Sequence, residues 1–271
     1  MIYPNVHSIY GVQLYGSCQE NAFTLDYEVK RRIIYWLAFF GVQGLLNKFH
    51  LYLSINGWVF DNIKSPSVFW LYSNYDKYTV EYLGRFDILL CTSYSYCQYL
   101  KSKGLDTTYF ELGAIDIDYH PQERIYDLIC IGEFEEKHPK LELFAQHFNI
   151  MLFGKYPGTQ TSVVSAIDAA RLYARSKIVL DLHGNDPWGF LSVCPYDALH
   201  MQSVCCTDAT AYRGMLDTAL IRLENDSILS IIRKILNDKI YREGLLNQIS
   251  LKSDLSFKSR MYQFLKIVKS L

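Results

Sequence analysis

The sequence predicts an α/β protein built from two doubly wound, parallel-sheet units, and three observations predict it. Short apolar runs alternate with helix-like segments along most of the chain. One stretch, 113–126 (GAIDIDYHPQERIY), breaks the alternation: it is polar, contains Pro121 and has no sustained period. The alternation then restarts. Strands linked through helices pair in parallel, and a parallel sheet is covered on both faces, so its strands read as nearly continuous apolar runs.

Taken in order, residues 8–16 (SIYGVQLYG) read as a strand and 27–46 as a helix. The runs 50–55, 67–73 and 87–93 read as three more strands, followed by a helix over 94–103 and a strand over 107–112. After the break come a strand at 127–132, a helix at 138–147 and a strand at 149–154. A helix at 162–175, a strand at 177–182, a helix at 195–202 and a strand at 203–207 complete the second unit. Helices fill most of 211–248, and a last one spans 255–270. The expected domains are 1–117 and 118–255, followed by a terminal helix over 256–271.

Composition sets the class. The chain has 271 residues, of which 50% are hydrophobic and 20% charged, which suits two small cored domains and excludes disorder. The net charge of −1 gives no basic field, so a nucleic-acid partner is not expected. Seven Cys in a chain this long make no disulfide scaffold. Cys91, Cys130, Cys205 and Cys206 sit in apolar runs as small buried hydrophobes, consistent with a reducing, cytoplasmic setting. The spacing of Cys91 and Cys97 matches no zinc site. The longest apolar stretch, Ile33 to Leu46, is too short to span a bilayer. The basic, broadly apolar segment 251–271 packs on the first domain or makes a peripheral membrane contact.

Four turns at strand ends carry the candidate chemistry, because ligands of such sheets bind outside the carboxyl ends of the strands. Gly132 ends an apolar strand and lets backbone approach a ligand, with Lys137, His138 and Lys140 following as positive charge for a diphosphate. Phe153-Gly154-Lys155 offers a wall for a flat group. His183 and Asp186 lie in the polar loop after 177–182. Asp197 falls in the first turn of a helix, where a carboxylate suits either the helix dipole or two ribose hydroxyls. Each also reads as an ordinary solvated turn or helix cap. Asp116 and Asp118 spell a metal-type pair but fall in the linker.

The order of these pieces resembles the donor-binding half of GT-B glycosyltransferases, especially the spore-maturation-protein (CgeB-like) and family-4-like group. The likeness runs from Tyr126 to Asp208, through Asp127 to Gly132, Lys137 with His138, Phe153-Gly154, Tyr173 to His183, Ser192 to Leu199 and Cys206-Thr207-Asp208. Its most specific phrase is YARSKIVLDLH, Tyr173 to His183. The chain departs from the pattern at Cys194, where the family has Arg, at Asp197 for Glu and at Gln202 for Gly; the first acid of the family's paired glutamates is missing near Trp188.

The resemblance implies two Rossmann-like lobes facing a cleft, the first abridged. It implies transfer of a sugar from a nucleoside-diphosphate sugar to a hydroxyl acceptor, with retention and no essential metal or other cofactor. Lys137 and Lys155 are then expected at the diphosphate, Asp197 at the ribose, His183 and Asp186 near the transferred sugar, and Gly132, Phe153 and Gly154 around the nucleotide. The alternatives are a non-catalytic GT-B-like module, motivated by the missing Arg and acid, and a sugar transferase acting on modified DNA bases.

Overall fold

The computed structural model describes residues 6–9, 12–15, 52–55, 67–72, 77–115, 117, 120–134, 136–157, 159–160, 164–182, 187–224, 226–250 and 255–269. They form two six-stranded sheets. The first contains β1 (Val6–Ile9), β2 (Val12–Tyr15), β3 (Tyr52–Ile55), β4 (Ser67–Leu71), β5 (Ile88–Cys91) and β6 (Thr107–Tyr109), side by side in chain order. The expected single strand over 8–16 is instead two antiparallel strands with Ile9 opposite Val12. A continuous apolar run does not show where the chain reverses. The remaining neighbours pair in parallel. The helix expected over 27–46 lies outside the described residues.

Strand β4 shows why this sheet needs cover on both sides. Its five residues are all buried, and successive side chains point to opposite faces. Phe69 meets Tyr78 and Phe86, each with ring centroids 4.9 Å away, around the short helix α1 (Val80–Leu83). Trp70 turns the other way and stacks on Phe257 and Phe264, at 6.1 and 5.9 Å. Those two belong to α8 (Phe257–Lys269), the last helix of the chain. Its lead-in runs beside the linker: Ala114 N donates to Leu255 O at 2.7 Å, and Phe257 N donates to Ala114 O at 2.8 Å. A Cβ at Gly113 would lie 2.6 Å from the Phe257 Cα, so that approach requires glycine. Helix α2 (Tyr94–Ser102), capped by the Ser93 hydroxyl accepting from Tyr96 N, packs on β5 and β6 through Tyr96, Cys97 and Leu100.

The second sheet has the order β12-β11-β10-β7-β8-β9. Its strands are β7 (Tyr126–Glu133), β8 (Ile150–Tyr156), β9 (Thr159–Gln160), β10 (Ser176–Asp181), β11 (Val204–Thr207) and β12 (Ile221–Arg222). All neighbours are parallel except β8 with β9. The chain moves outward from β7 to β8, returns to β10 on the other flank, and continues to β11. The order therefore reverses between β7 and β10, the doubly wound signature. In the first sheet the described strands show no such reversal.

Helices α3 (Pro139–Ala145), α4 (Ala166–Ala174) and α5 (Val193–His200) connect these strands. Ser165 and Ser192 cap α4 and α5 by accepting from Asp168 N and Cys194 N. Residues 193–199 of α5 are all buried, so this helix carries no polar stripe. The helices expected across 211–248 reduce to α6 (Ile228–Asn237) and α7 (Lys239–Ser250). The stretch before them stays irregular because Arg222 ties down the carbonyls of Ala209 and Tyr212 and the Asp217 carboxylate. Gln202, where the family pattern has glycine, has φ 58°. That conformation favours glycine, and here the Gln202 carbonyl accepts from Arg124 Nη2 at 2.6 Å. Among the described residues, no helix is long and apolar enough to cross a membrane.

Candidate functional site

The loops that leave the carboxyl ends of the two sheets touch each other. Ser93, after β5, donates its hydroxyl to the Trp188 carbonyl, after β10. The Trp188 ring lies against Tyr96 and Tyr99 of α2, at 4.8 and 5.1 Å. Glu111, after β6, accepts from the Tyr212 hydroxyl at 2.8 Å and from Met215 N at 3.0 Å, both after β11. The two Rossmann-like lobes thus face a cleft with their carboxyl edges inward, the GT-B arrangement.

On the second lobe, the reversal between β7 and β10 marks where a ligand is expected. His138, after β7, and Asp208, after β11, meet across the end of β10, with Nε2 and Oδ2 3.3 Å apart. Asp208 is 6% exposed. The Asp181 carboxylate shapes this edge from below. It accepts from Ser192 Oγ and Thr207 Oγ1, both at 2.9 Å, which locks the start of α5 to the end of β11. The imidazole also meets Phe134 edge-on at 5.8 Å, and Phe134 stacks on Tyr156 at 5.1 Å. His138 was one of several charges read in its turn. Nothing in the local sequence says that it meets an acid 70 positions later; its place just beyond a parallel strand is the only signal.

Of the expected site residues, Gly132 and Gly154 are brought directly side by side by the register of β7 and β8. Gly154 has φ 111°, and a Cβ there would overlap the Gly132 carbonyl oxygen, so both conformation and space demand glycine. Phe153 is half-buried beside them, and Lys155 is exposed. Lys137 is exposed and pairs with Glu142 at 3.2 Å. His183 and Asp186 lie outside the described residues, as do Asp116 and Asp118.

Asp197 is the residue expected at a ribose. It is 3% exposed, and its Oδ1 accepts from Ile115 N at 2.7 Å. His200 on the same helix holds Ile117 O at 2.9 Å. The largely buried helix α5 therefore grips the interlobe linker, and Asp197 is its clamp. The linker is correspondingly buried at Leu112, Ala114 and Ile115.

Cys194 is buried in the first turn of α5, and burial, then the neighbouring Asp181, push its thiol well above the usual range. It brings no positive charge where the family pattern has Arg. Cys130 and Cys206 are pushed up to about 12 by burial. Among the described residues, no group of three or more His, Cys, Asp or Glu is placed to hold a metal ion.

No protein-family profile matches the chain, and no curated protein matches it. Solved structures do. The T4 phage β-glucosyltransferase bound to UDP-glucose is 14% identical, with 79% of each chain covered and a TM-score of 0.49. A DNA-modifying β-glucosyltransferase, solved with and without uridine diphosphoglucose, is 14% identical over 74% of this chain and 71% of that one, at 0.47. An α-glucosyltransferase in complex with UDP-glucose and DNA containing an abasic site is 9% identical over 89% and 84%, at 0.49. These findings correct the expectation against a nucleic-acid partner: chains of similar fold include a DNA-modifying enzyme and one bound to DNA. The physical reason is that net charge sums over the whole surface, whereas a nucleic acid meets only a local groove.

Proposed function

We propose that this chain is a glycosyltransferase that takes a sugar from a nucleoside-diphosphate sugar held on the second lobe and passes it to a hydroxyl acceptor held against the first. The observation that carries this reading is the meeting of two inward-facing carboxyl edges, one with its strand order reversed beside the His138–Asp208 pair. A nucleotide lies naturally across that reversal. His138 and Lys137, with Lys155, would neutralise the leaving diphosphate, which is most of what such a transfer asks of a protein without a metal. The Gly132–Gly154 pair would let the nucleotide lie on bare backbone. His183 and Asp186 are proposed near the transferred sugar. Asp197 is assigned to holding the linker.

Within this reading, the resemblance to the CgeB-like and family-4-like group supports retention at the transferred carbon and a cytoplasmic enzyme. For the acceptor, a hydroxyl on a modified DNA base is the class to test first, because the chains of similar fold named above include a DNA-modifying β-glucosyltransferase and an α-glucosyltransferase bound to DNA. Glycan acceptors follow.

A thermal-shift screen of UDP-, GDP- and TDP-sugars tests the donor. A ligand at 100 times its dissociation constant should stabilise the protein by about 2.7 kcal/mol. If no sugar nucleotide moves the melting temperature or is hydrolysed, the reading fails. Transfer from the winning donor to hydroxymethylated DNA, compared with simple glycosides, then identifies the acceptor.

A further inference from the structure

Glu111 is the feature of the cleft that the donor site does not use. It follows β6 in the first lobe and is 4% exposed. One oxygen, Oε1, accepts from three donors: the Tyr109 hydroxyl on its own strand, the Tyr212 hydroxyl and Met215 N. The last two belong to the loop after β11. Gly214 lies between them, and a Cβ there would overlap the Glu111 carboxylate and both tyrosine hydroxyls. The Tyr212 hydroxyl in turn accepts from Leu216 N at 3.1 Å. Burial first, and the adjacent Glu111 charge second, raise the Tyr109 and Tyr212 phenols well above their usual range, so both remain hydrogen-bond donors. The same loop opens with Asp208, the residue that meets His138 over the strand reversal.

A carboxylate that is buried and bonded from the other lobe does more than fill space. Leaving either partner unpaired exposes the full desolvation cost of the group that remains, so the loop has one strongly preferred seat. That seat is defined by the first lobe, and the loop it holds begins at Asp208, on the second lobe's ligand edge.

We propose that Glu111 is a positioning residue of the transfer site: from the acceptor-side lobe it seats the 208–216 loop, and through Asp208 it sets the orientation of the His138 imidazole that faces the donor. The proposal rests on the functional reading above for its consequence in turnover, but not for its structural content. In it, a contact between the lobes completes the donor edge.

The test uses the full chain with three variants: Glu111→Gln, Tyr212→Phe and the two combined. Glu111→Gln keeps an accepting oxygen and the side-chain size. Tyr212→Phe removes a single hydroxyl, so it serves if the Gln variant does not fold. Nitrogen-15 spectra of the histidine rings, with His138 assigned by His138→Asn, read the orientation directly. Each single variant should shift the His138 ring signals. With the donor found by the screen, each should lower kcat by about 10- to 100-fold, the range expected when a reacting group is misplaced by about 1 Å. KM for the donor should change less. The double variant should be no worse than the worse single one, since both break the same tie. Lower melting temperatures with unmoved His138 signals and wild-type kcat would reduce Glu111 to a structural tie and overturn the proposal. Additive effects on kcat would do the same. If the wild-type protein transfers no sugar, the functional reading fails, while the ring spectra still decide whether Glu111 orients His138.

Discussion

The two sheets are finished in different ways. The second is built from one continuous run of chain: α3, α4 and α5 lie between strands they join, and α6 and α7 follow its last strand and pack on β10 and β11. The first borrows a layer from the far end of the sequence: one face of β4 rests on α1, nearby in sequence, and the other rests on α8, nearly 190 residues away. The difference extends to their carboxyl edges. The second sheet's edge holds a His–Asp pair and two abutting glycines. The first sheet contributes Glu111, whose bonded oxygen is turned to the loop of its neighbour. One lobe carries the proposed ligand edge, and the other meets its loops.

The largest test of that contrast is to remove residues 255–271. Phe257, Met261 and Phe264 are at most 1% exposed. Each buried side chain of this kind stabilises by about 1.5–3 kcal/mol, so their joint loss rivals the whole stability of a typical domain, roughly 5–15 kcal/mol. The truncated chain should lose its cooperative melting transition or melt far below the intact protein, with Trp70 fluorescence shifted to that of a solvated indole. An unchanged melting curve, together with sedimentation of the intact protein on anionic vesicles, would return the segment to a membrane role.

A smaller effect is expected at the linker. Asp197→Ala leaves the buried Ile115 N–H without its acceptor and should cost about 1.5–3 kcal/mol of stability, read as a lower urea midpoint. Asp197→Asn retains an accepting oxygen and should fall between. A variant that stays fully stable but binds nucleotide more weakly would put the carboxylate back at a ribose.

How much of this was legible follows from range. Strands β7, β10 and β11 are apolar runs bounded by polar turns, and periodicity finds such segments because the cause lies within a few residues. The tight register that sets Gly132 against Gly154 was half-legible: two glycines at strand ends suggest close approach, but not to each other. The hairpin at β1 and β2 was hidden because an apolar run masks a two-residue connection. The partners of Asp197 and His138, and Glu111 altogether, escaped, for the contacts span 82, 70 and 101 positions. An acid in the first turn of a helix looks the same whether it holds a ribose or a backbone N–H. Only packing α5 into the core, with its linker alongside, decides between them.

The buried thiols of the second lobe predict a pH effect of similar or smaller size. Cys130 and Cys206 have folded-state values near 12, raised by burial from the usual 9. The neutral thiol is favoured in the fold, so its stabilisation is intact below pH 9 and is lost as pH rises through the window from 9 to 12. A shift of one unit is worth 1.36 kcal/mol, so at pH 10.5 each thiol should lower stability by about 1–2 kcal/mol relative to pH 8. Urea midpoints at the two values measure the sum, and Cys206→Ser should reduce the pH dependence. Equal midpoints at pH 8 and 10.5 would mean that the thiols are already accessible to solvent.

The smallest effect on stability, and the one that best separates the ligand-facing lobe from its cover, belongs to Lys137. Its side chain is 73% exposed, and its ion pair with Glu142 spans 3.2 Å at the surface. Such pairs contribute little because water already solvates both charges and ordering two long side chains costs entropy, so Lys137→Ala should change stability by less than about 0.5 kcal/mol. If the same ammonium meets a diphosphate at the β7 edge, a charge-assisted hydrogen bond is lost there, worth about 1.5–3 kcal/mol. Donor affinity in calorimetry should then fall by roughly tenfold or more, and the loss should shrink as salt is added, because an exposed charge is screened. Lys155→Ala gives the comparison from the neighbouring strand end, also exposed and opposite Glu133 in the register. If both lysines lose affinity with unchanged melting temperature, the diphosphate lies across β7 and β8. If neither does, the charge that neutralises it must come from His138, and the donor sits nearer to β10.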